Sequence, residues 1–308
     1  MRVLVVGGTG YLGSRIAREV AGAGHDLVAL VRPGTGAGAL ATQGATIVRG
    51  DLTDPRTLPP ALDGVDAVVT TAIGYVARRP GDDLDTVDDH GNRHLADAAR
   101  AAGVARLVFM SVLTADRATS VPHFHQKYRS EQYFERVGVP MVALRPSGFL
   151  DQVLGWSRAA IATGVLPTMI PPDVPLTLVH ADDVARTAVA ALTVPGIEGE
   201  RIDLGMHQPA TFREVARELA SAMDRAVALH YVGAARDPGF ENGSPERDGP
   251  AEELDVSIAY MGSGRYVADV TRQTEVFGPP ATLADSIQRW VAASGLAPAS
   301  PLVTSAGE

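Results

Sequence analysis

The first half of the chain alternates short apolar runs with longer segments in which apolar residues recur every three or four positions. The short runs are RVLVVG, HDLVALVR, ATIVRGD, DAVVTTA, ARLVFMS and PMVALRP, and their β-branched residues favour strands. Between them, YLGSRIAREVAGAG and residues 84–101 and 123–137 have the spacing of amphipathic helices. Strands that alternate with helices predict βαβ units and a parallel sheet of about six strands.

The regular alternation stops after Pro146. Residues 148–164 predict a helix, and a loop with several prolines follows it. A strand LTLV, a helix ADDVARTAVAALT, a strand ERIDLG and a helix TFREVARELASAM come next, the last with a capping box of Thr211 and Glu214. We therefore expect a core over residues 1–150, a smaller substrate-binding region with interleaved core elements over 151–296, and a flexible tail over 297–308.

The segment of residues 233–253 differs from its neighbours in composition. It is rich in Gly, Pro, Asp and Glu and has little periodicity. Long segments of this kind inside a compact protein are often functional loops. The sequence predicts a mobile loop or flap here.

Composition narrows the classes of partner. With 308 residues, 45% of them apolar and 20% charged, the chain can bury a sizeable core. A net charge of -9 argues against nucleic acid as the main partner, because phosphate binding needs a basic surface. The absence of cysteine excludes disulfides, thiolate metal sites and thiol catalysis. We find neither a signal peptide nor an apolar run of about 20 residues, so we expect a cytoplasmic protein with no membrane contact.

The segment GGTGYLG lies between the first predicted strand and the first helix. In a dinucleotide fingerprint the first glycine allows a tight turn, the second lets the backbone approach a pyrophosphate, and the third lets helix and strand pack closely. The helix N-terminus then offers unpaired N–H groups to the anion. The predicted cofactor contacts of this loop are Gly7, Thr9, Gly10, Tyr11, Leu12 and Gly13.

The ends of the next strands suggest which dinucleotide is bound. The position 19 residues after Gly13, where NAD sites carry an acid, is Arg32, whose guanidinium could pair with the 2′-phosphate of NADP(H). The alternative is a solvated charge, because the neighbouring segment shows no second obvious cation. Asp51 could accept from the adenine amino group with Leu52 over the ring, or could serve in a turn. The further predicted contacts, after the fourth strand, are Thr71, Ala72 and Ile73.

The motifs GGTGYLG, GDLTD, FMS, HFHQKYRSE and ALRPSGF occur in this order, and with them the chain resembles the NmrA-like group of atypical short-chain dehydrogenase/reductases as far as about Trp290. The resemblance implies a doubly wound parallel Rossmann sheet, an α/β fold, with a smaller C-terminal substrate-binding region and a cleft between them. The implied partner is a small molecule, and a homodimer is compatible with the family.

The resemblance also implies which residues act on the substrate. Conventional relatives use a Tyr-x-x-x-Lys pair, and Lys127 matches the lysine, but His123 stands where the tyrosine would be. An imidazole with a pKa near 6.5 could replace that tyrosine as general acid, or His123 could be a polar residue without a catalytic part. Ser111 matches the family serine that hydrogen-bonds a substrate carbonyl, with a strand-end backbone contact as the alternative. His123 and His125 lack a third ligand nearby, so we expect no metal site.

The substrate-pocket residues are predicted from their position near the nicotinamide. They are Tyr75, Phe149, Trp156 and Tyr260, together with Met169 and Met261. Three functions stay open. The first is an NADP(H)-dependent reductase that acts on a carbonyl, quinone or conjugated double bond of an apolar molecule. The second is a non-catalytic NADP(H) redox sensor that binds a protein partner. The third uses the cofactor fold for a reaction without hydride transfer, namely cyclisation, coupling or dehydration.

Overall fold

A computed structural model describes residues 1–74, 80–233 and 251–297 of the chain. Its strands are β1 Arg2–Val6, β2 Asp26–Val31, β3 Thr46–Arg49, β4 Ala67–Thr70, β5 Arg106–Met110, β6 Met141–Pro146, β7 Gly148–Phe149, β8 Val165–Thr168, β9 Leu178–Val179, β10 Arg201–Leu204 and β11 Ala228–Tyr231. Seven of them form one sheet in the order β10-β6-β5-β4-β1-β2-β3, and every pairing in it is parallel.

The helices lie between the strands and, later, in the C-terminal region. They are α1 Tyr11–Gly22, α2 Gly38–Thr42, α3 Pro59–Leu62, α4 Asn92–Ala101, α5 Pro122–Val137, α6 Leu150–Trp156, α7 Arg158–Ala162, α8 Ala181–Ala190, α9 Phe212–Met223, α10 Ala251–Met261, α11 Thr271–Phe277 and α12 Leu283–Ser294. A 3-10 turn spans Pro55–Thr57, and a π-helix over Leu84–Gly91 runs directly into α4. The π-helix begins with a capping box between Asp83 and Thr86.

Both faces of the central sheet are buried, as a parallel sheet requires. Val3 and Val5 of β1 point into a cluster with α1 and α8, whereas Leu4 and Val6 point into a second cluster with α3, α4 and α5. Helices on both faces make the fold a doubly wound parallel Rossmann sheet, which confirms the predicted α/β class. A third apolar cluster joins α6, α9, α10 and α12 in the C-terminal region.

The sheet has one strand more than the roughly six predicted. The extra strand is β10, which lies far beyond Pro146 but pairs with β6 through Ile202 opposite Leu144. Its apolar side chains complete the buried face at that edge of the sheet. Residues 234–250 of the segment predicted as a flap lie outside the described residues, and residues 251–253 begin α10. Residues 298–308 of the predicted tail also lie outside the described residues.

Candidate cofactor and active site

The glycine loop connects β1 to α1 with geometry that only glycine tolerates at two positions. Gly7 has a φ of +84°, and a Cβ there would lie 2.6 Å from Oγ1 of Thr71. A Cβ on Gly13 would lie 2.0 Å from the carbonyl oxygen of Gly7. Gly10 donates its N–H to that same oxygen at 2.9 Å and begins α1 without a side-chain cap. The loop thus presents bare backbone at the helix N-terminus.

A cavity of about 360 Å³ opens where the carboxyl ends of β1, β2, β4, β5 and β6 meet. This is the place where doubly wound folds bind ligands. The residues predicted to contact the cofactor all line it, namely Gly7, Thr9, Gly10, Tyr11, Leu12, Gly13, Arg32, Asp51, Leu52, Thr71, Ala72, Ile73 and Lys127. Its wall also includes Val6, Leu30, Thr35, Gly50, Val87, Met110, Ser111, Pro146, Phe149 and Gln152.

Arg32 stands at one end of the cavity and is already paired. Its Nη1 lies 2.5 Å from Oδ2 of Asp82, and the two side chains are 30% and 11% exposed. The sequence reasoning missed a second cation at this end: Arg49 donates from Nη1 to the carbonyl oxygens of Arg32 (3.2 Å) and Thr35 (2.7 Å). The parallel register of β2 and β3, which sets Arg49 beside the end of β2, is the signal that could have found it.

Asp51 takes part in a turn, which was the alternative interpretation of this residue. Its Oδ1 accepts hydrogen bonds at 3.0 Å from both the backbone N–H and the hydroxyl of Thr53. The same residue lines the cavity beside Leu52. A turn role and an adenine contact are therefore compatible in this geometry.

Lys127 stands at the other end of the cavity and is buried. Its Nζ donates to the carbonyl oxygen of Ala72 at 3.1 Å and lies 3.6 Å from Oδ1 of Asp88. Burial lowers the pKa of Lys127, and the carboxylate of Asp88 opposes that shift. Asp88 comes from the π-helix and also accepts from the backbone N–H of Gly74 at 2.8 Å, so it fixes the loop that follows β4.

Ser111 lines the cavity, but its hydroxyl hydrogen is engaged elsewhere. Its Oγ donates to Oε1 of Glu131 at 2.5 Å. Glu131 is completely buried and also accepts from Arg145 at 2.7 and 2.9 Å and from Arg201 at 3.0 Å. A serine hydroxyl has one hydrogen to donate. Ser111 can therefore donate to a substrate carbonyl, as predicted, only after turning away from Glu131.

His123 differs from its expected behaviour. It lies in the first turn of α5, where its ring packs edge-on against Phe124 with centroids 4.6 Å apart. Burial, and secondarily the charge of Lys127, lower the pKa of His123 to about 4. The expectation of an imidazole that titrates near neutral pH is thus wrong for this environment. In the part of the chain that is described, His123 is not in the cavity wall.

The predicted substrate residues are divided by the structure. Phe149 lines the cavity with its ring centroid 6.1 Å from that of Tyr11. Trp156 ends α6 with 42% of its surface exposed, and Tyr260 is 5% exposed in the C-terminal apolar cluster, so neither lines the cavity that the described residues form. Met169 and Met261 pack against that same cluster. Tyr75 lies outside the described residues.

Two polar residues at the start of α6 belong to the site and were missed. Asp151 accepts a hydrogen bond from the hydroxyl of Tyr11 and another from the N–H of Ala181 at 2.9 Å. Burial and the Asp151 carboxylate raise the pKa of Tyr11. Gln152 lines the cavity, and its amide has no hydrogen-bond partner among the described residues. The helical spacing of Phe149 and Gln152 is the signal that could have found Gln152.

Two other kinds of feature are absent from the described residues, namely metal-ligand clusters and membrane-spanning helices. They contain no cluster of three or more His, Asp or Glu side chains that could hold a metal ion. Of the helices in the described ranges, none combines the length and apolarity of a membrane span.

The chain matches a known protein family and is similar to several characterised proteins. Residues 1–234 match the model of the NmrA-like family. The chain is 34% identical over 199 residues to "Photosystem II assembly factor Ycf39" of Synechocystis sp., covering 64% of this chain and 60% of that protein. It is 31% identical over 238 residues to "(4-alkanoyl-5-oxo-2,5-dihydrofuran-3-yl)methyl phosphate reductase" of Streptomyces griseus, covering 75% and 77%.

A solved structure extends the likeness over nearly the whole chain. The NADPH-dependent quinone oxidoreductase QOR2 of Escherichia coli, complexed with NADPH, superposes with a TM-score of 0.76 at 25% identity and covers 93% of this chain and 99% of that one. The chain spans less than two thirds of the length of several curated relatives it matches. The expected cofactor, NADP(H), agrees with the quinone oxidoreductase complex. On the family match and the fold together, this chain belongs to the NmrA-like family.

Proposed function

We propose that the protein is an NADP(H)-dependent reductase of a small apolar molecule that carries a carbonyl, a quinone or a conjugated double bond. The observation that carries this proposal is a continuous cavity that has the glycine loop and Arg32 at one end and Lys127, Phe149 and Gln152 at the other. The quinone oxidoreductase and the dihydrofuranyl phosphate reductase are relatives with chemistry of this class. Support therefore comes from the arrangement of the site and from the family.

The residues present fit a bound dinucleotide. Gly7 and Gly13 allow the tight turn, and Gly10 before α1 has no side chain, so the backbone N–H groups at the start of α1 are available to a pyrophosphate. Arg32 would pair with the 2′-phosphate, and Lys127 would bind the nicotinamide ribose. Bound NADPH would supply a hydride to the substrate.

Lys127, rather than His123, is the proton source in this proposal. Burial lowers the pKa of Lys127 and so makes its Nζ ammonium a stronger acid than that of a solvated lysine, while the Asp88 carboxylate at 3.6 Å opposes that shift. Ala72 fixes the direction of the Nζ group through its carbonyl oxygen. His123 has a pKa of about 4, so at pH 7 its imidazole is neutral and carries no imidazolium proton to donate.

Gln152 would orient the substrate. Among the described residues its amide has no partner, and it lies at an end of the cavity that Met110, Pro146 and Phe149 make apolar. An amide can donate to a carbonyl oxygen or accept from a hydroxyl, which suits a planar conjugated substrate with an oxygen at its edge. Replacing Gln152 by Leu should lower kcat/KM about tenfold while NADPH affinity stays unchanged, because the substrate loses one hydrogen bond of about 1.4 kcal/mol in the transition state. Gln152→Asn, which keeps an amide, is the matched control.

The test of the function combines binding and turnover. NADPH fluorescence titration should show saturable binding, and NADPH oxidation should follow with at least one member of a panel of quinones, conjugated ketones and unsaturated lactones. The same panel with Lys127→Met separates turnover in the site from background reduction. Absence of NADPH binding would refute the proposal at its first step.

A second candidate is a non-catalytic NADP(H)-binding protein that passes its state to a protein partner. The neutral His123 in the position of the family tyrosine favours it, and so do the relatives described as photosystem II assembly factors. Tight NADPH binding without oxidation across the whole panel would support this candidate against the reductase. Homodimer formation and a cytoplasmic location stay predictions.

A further inference from the structure

Arg32, the cavity-lining residue proposed to recognise the 2′-phosphate, is already paired with a carboxylate. The Asp82 side chain is 11% exposed and its Oδ2 lies 2.5 Å from Nη1 of Arg32. We propose that Asp82 competes with the 2′-phosphate for Arg32 and thereby sets how strongly the protein prefers NADP(H) to NAD(H). The inference rests on the dinucleotide binding of the proposed function and not on turnover.

Hydrogen bonds from Arg49 fix the backbone of Arg32. Arg49 donates from a single nitrogen, Nη1, to the carbonyl oxygens of Arg32 and Thr35, so the end of β2 and the loop after it are tied to β3. Arg32 therefore stays at the cavity wall, which Thr35 also lines. What can change at this end is the anion that Arg32 pairs with.

Asp82 is placed where its side chain can move without unwinding its neighbours. Gly81 before it is exposed and has a φ of +89°, and a Cβ on Gly81 would meet no atom within 4 Å. The residue after it, Asp83, supplies the cap of the π-helix by accepting from the N–H of Thr86 at 2.7 Å. Further along that helix, Asp88 accepts a hydrogen bond from the N–H of Gly74. Release of the Asp82 carboxylate would thus leave both anchors of the segment in place.

Charge makes the exchange selective. A phosphate dianion can take both arms of a guanidinium, but beside Asp82 it would meet a like charge at short range. NADP(H) must therefore displace Asp82 or bind against its repulsion. NAD(H) brings only a 2′-hydroxyl, which leaves the Arg32–Asp82 pair intact and can donate to the carboxylate. Asp82 would then weaken NADP(H) binding specifically and narrow the preference that Arg32 creates.

The experiment measures the affinities of NADPH and NADH by fluorescence titration at low ionic strength. Asp82→Asn should tighten NADPH binding about fivefold, the ratio that corresponds to a partly exposed ion pair of about 1 kcal/mol. Affinity for NADH should stay the same or fall. Asp85→Asn is the matched control, because it removes the same charge from an exposed position in the same segment.

A double-mutant cycle tests whether Asp82 acts through Arg32. The gain from Asp82→Asn should vanish in an Arg32→Ala background. Unchanged or weaker NADPH binding, an equal gain for NADH, or a gain that persists without Arg32 would overturn the inference. Asp82→Ser carries the same expectation and replaces Asp82→Asn if that variant melts early. A wild-type protein that binds neither dinucleotide would refute the proposed function and this inference together, whereas normal binding with an indifferent Asp82 refutes the inference alone.

Discussion

Tyr11 in the glycine loop donates its hydroxyl hydrogen bond to Asp151 at the start of α6, 140 residues further along the chain. Asp151 is buried and lies 3.6 Å from Nη2 of Arg15. The contact ties the segment that would hold the pyrophosphate to the helix that carries Gln152. This hydrogen bond thus links the glycine loop of the core to α6 of the C-terminal region.

Replacing Tyr11 by Phe should cost stability, because it leaves a buried carboxylate with one donor fewer. We expect the free energy of unfolding to fall by about 1–3 kcal/mol, measured by urea denaturation. Tyr133 donates to Asp97 on the surface and provides a matched tyrosine–aspartate pair, for which Tyr133→Phe should change stability by less than about 0.5 kcal/mol. An equal loss of unfolding free energy at both positions would show that the buried Tyr11–Asp151 hydrogen bond stabilises the protein no more than the surface Tyr133–Asp97 bond does.

Most of the fold and the cofactor end of the site could be predicted from the sequence, because both depend on local signals. Each of the first six sheet strands is a short, largely apolar run with at least one β-branched residue, and parallel strands bring their carboxyl ends to one edge of the sheet. Residues that directly follow such strands, such as Gly7, Arg32 and Thr71, therefore meet at the cavity. Predicting where each strand ends is therefore sufficient to place these residues at the cavity.

The rest depends on packing between distant segments. Asp82 lies in the segment before the π-helix, Asp88 lies in the π-helix, and Asp151 lies at the start of α6. No local pattern fixes the positions of these elements. Burial likewise decides the charge of His123, and the C-terminal apolar cluster takes up Tyr260, which position alone had assigned to the substrate. The seventh strand, β10, looks like any strand of the second half until its pairing with β6 is seen.

The pKa of His123 predicts a pH dependence of stability. Its folded-state pKa of about 4 lies below the ordinary value of 6.5, so the unfolded chain takes up the proton first as the pH falls. The stability that neutral His123 contributes is therefore present above pH 6.5 and is lost as the pH falls towards 4. Free energies of unfolding across this window should decline less steeply in His123→Gln than in the wild type.

Two histidines bear on how that experiment is read. His180 also has a pKa lowered by burial and contributes in the same direction, so the variant should keep part of the slope. Replacing the exposed His207 by Gln gives a matched control for the loss of a histidine. If the free energy of unfolding depends on pH equally steeply in His123→Gln and in the wild type, burial does not lower the pKa of His123.

The two glycines at opposite ends of α1 predict opposite results for the same substitution. A Cβ at Gly13 would lie 2.0 Å from the carbonyl oxygen of Gly7, so Gly13→Ala must push the helix away from the loop. We expect it to cost about 1–3 kcal/mol of stability and to abolish NADPH binding. Gly22→Ala meets no atom within 4 Å and should be neutral or slightly stabilising with binding intact. Thermal melts and NADPH titration of both variants check the pair.

The ion pair between Lys127 and Asp88 predicts a shift in the pH dependence of turnover. The carboxylate at 3.6 Å raises the pKa of a lysine that burial lowers, so Asp88→Asn should lower it further. If Lys127 donates the proton, activity in wild type falls as the pH rises through the pKa of that ammonium, and in Asp88→Asn this decline should begin at lower pH. The profile of kcat against pH at saturating NADPH measures it, with Asp85→Asn as the control for loss of one acidic charge. If kcat declines at the same pH in wild type and Asp88→Asn, Lys127 is not the proton donor. If NADPH affinity also falls in Asp88→Asn while the pH dependence of kcat stays unchanged, Asp88 acts only as an anchor of Gly74.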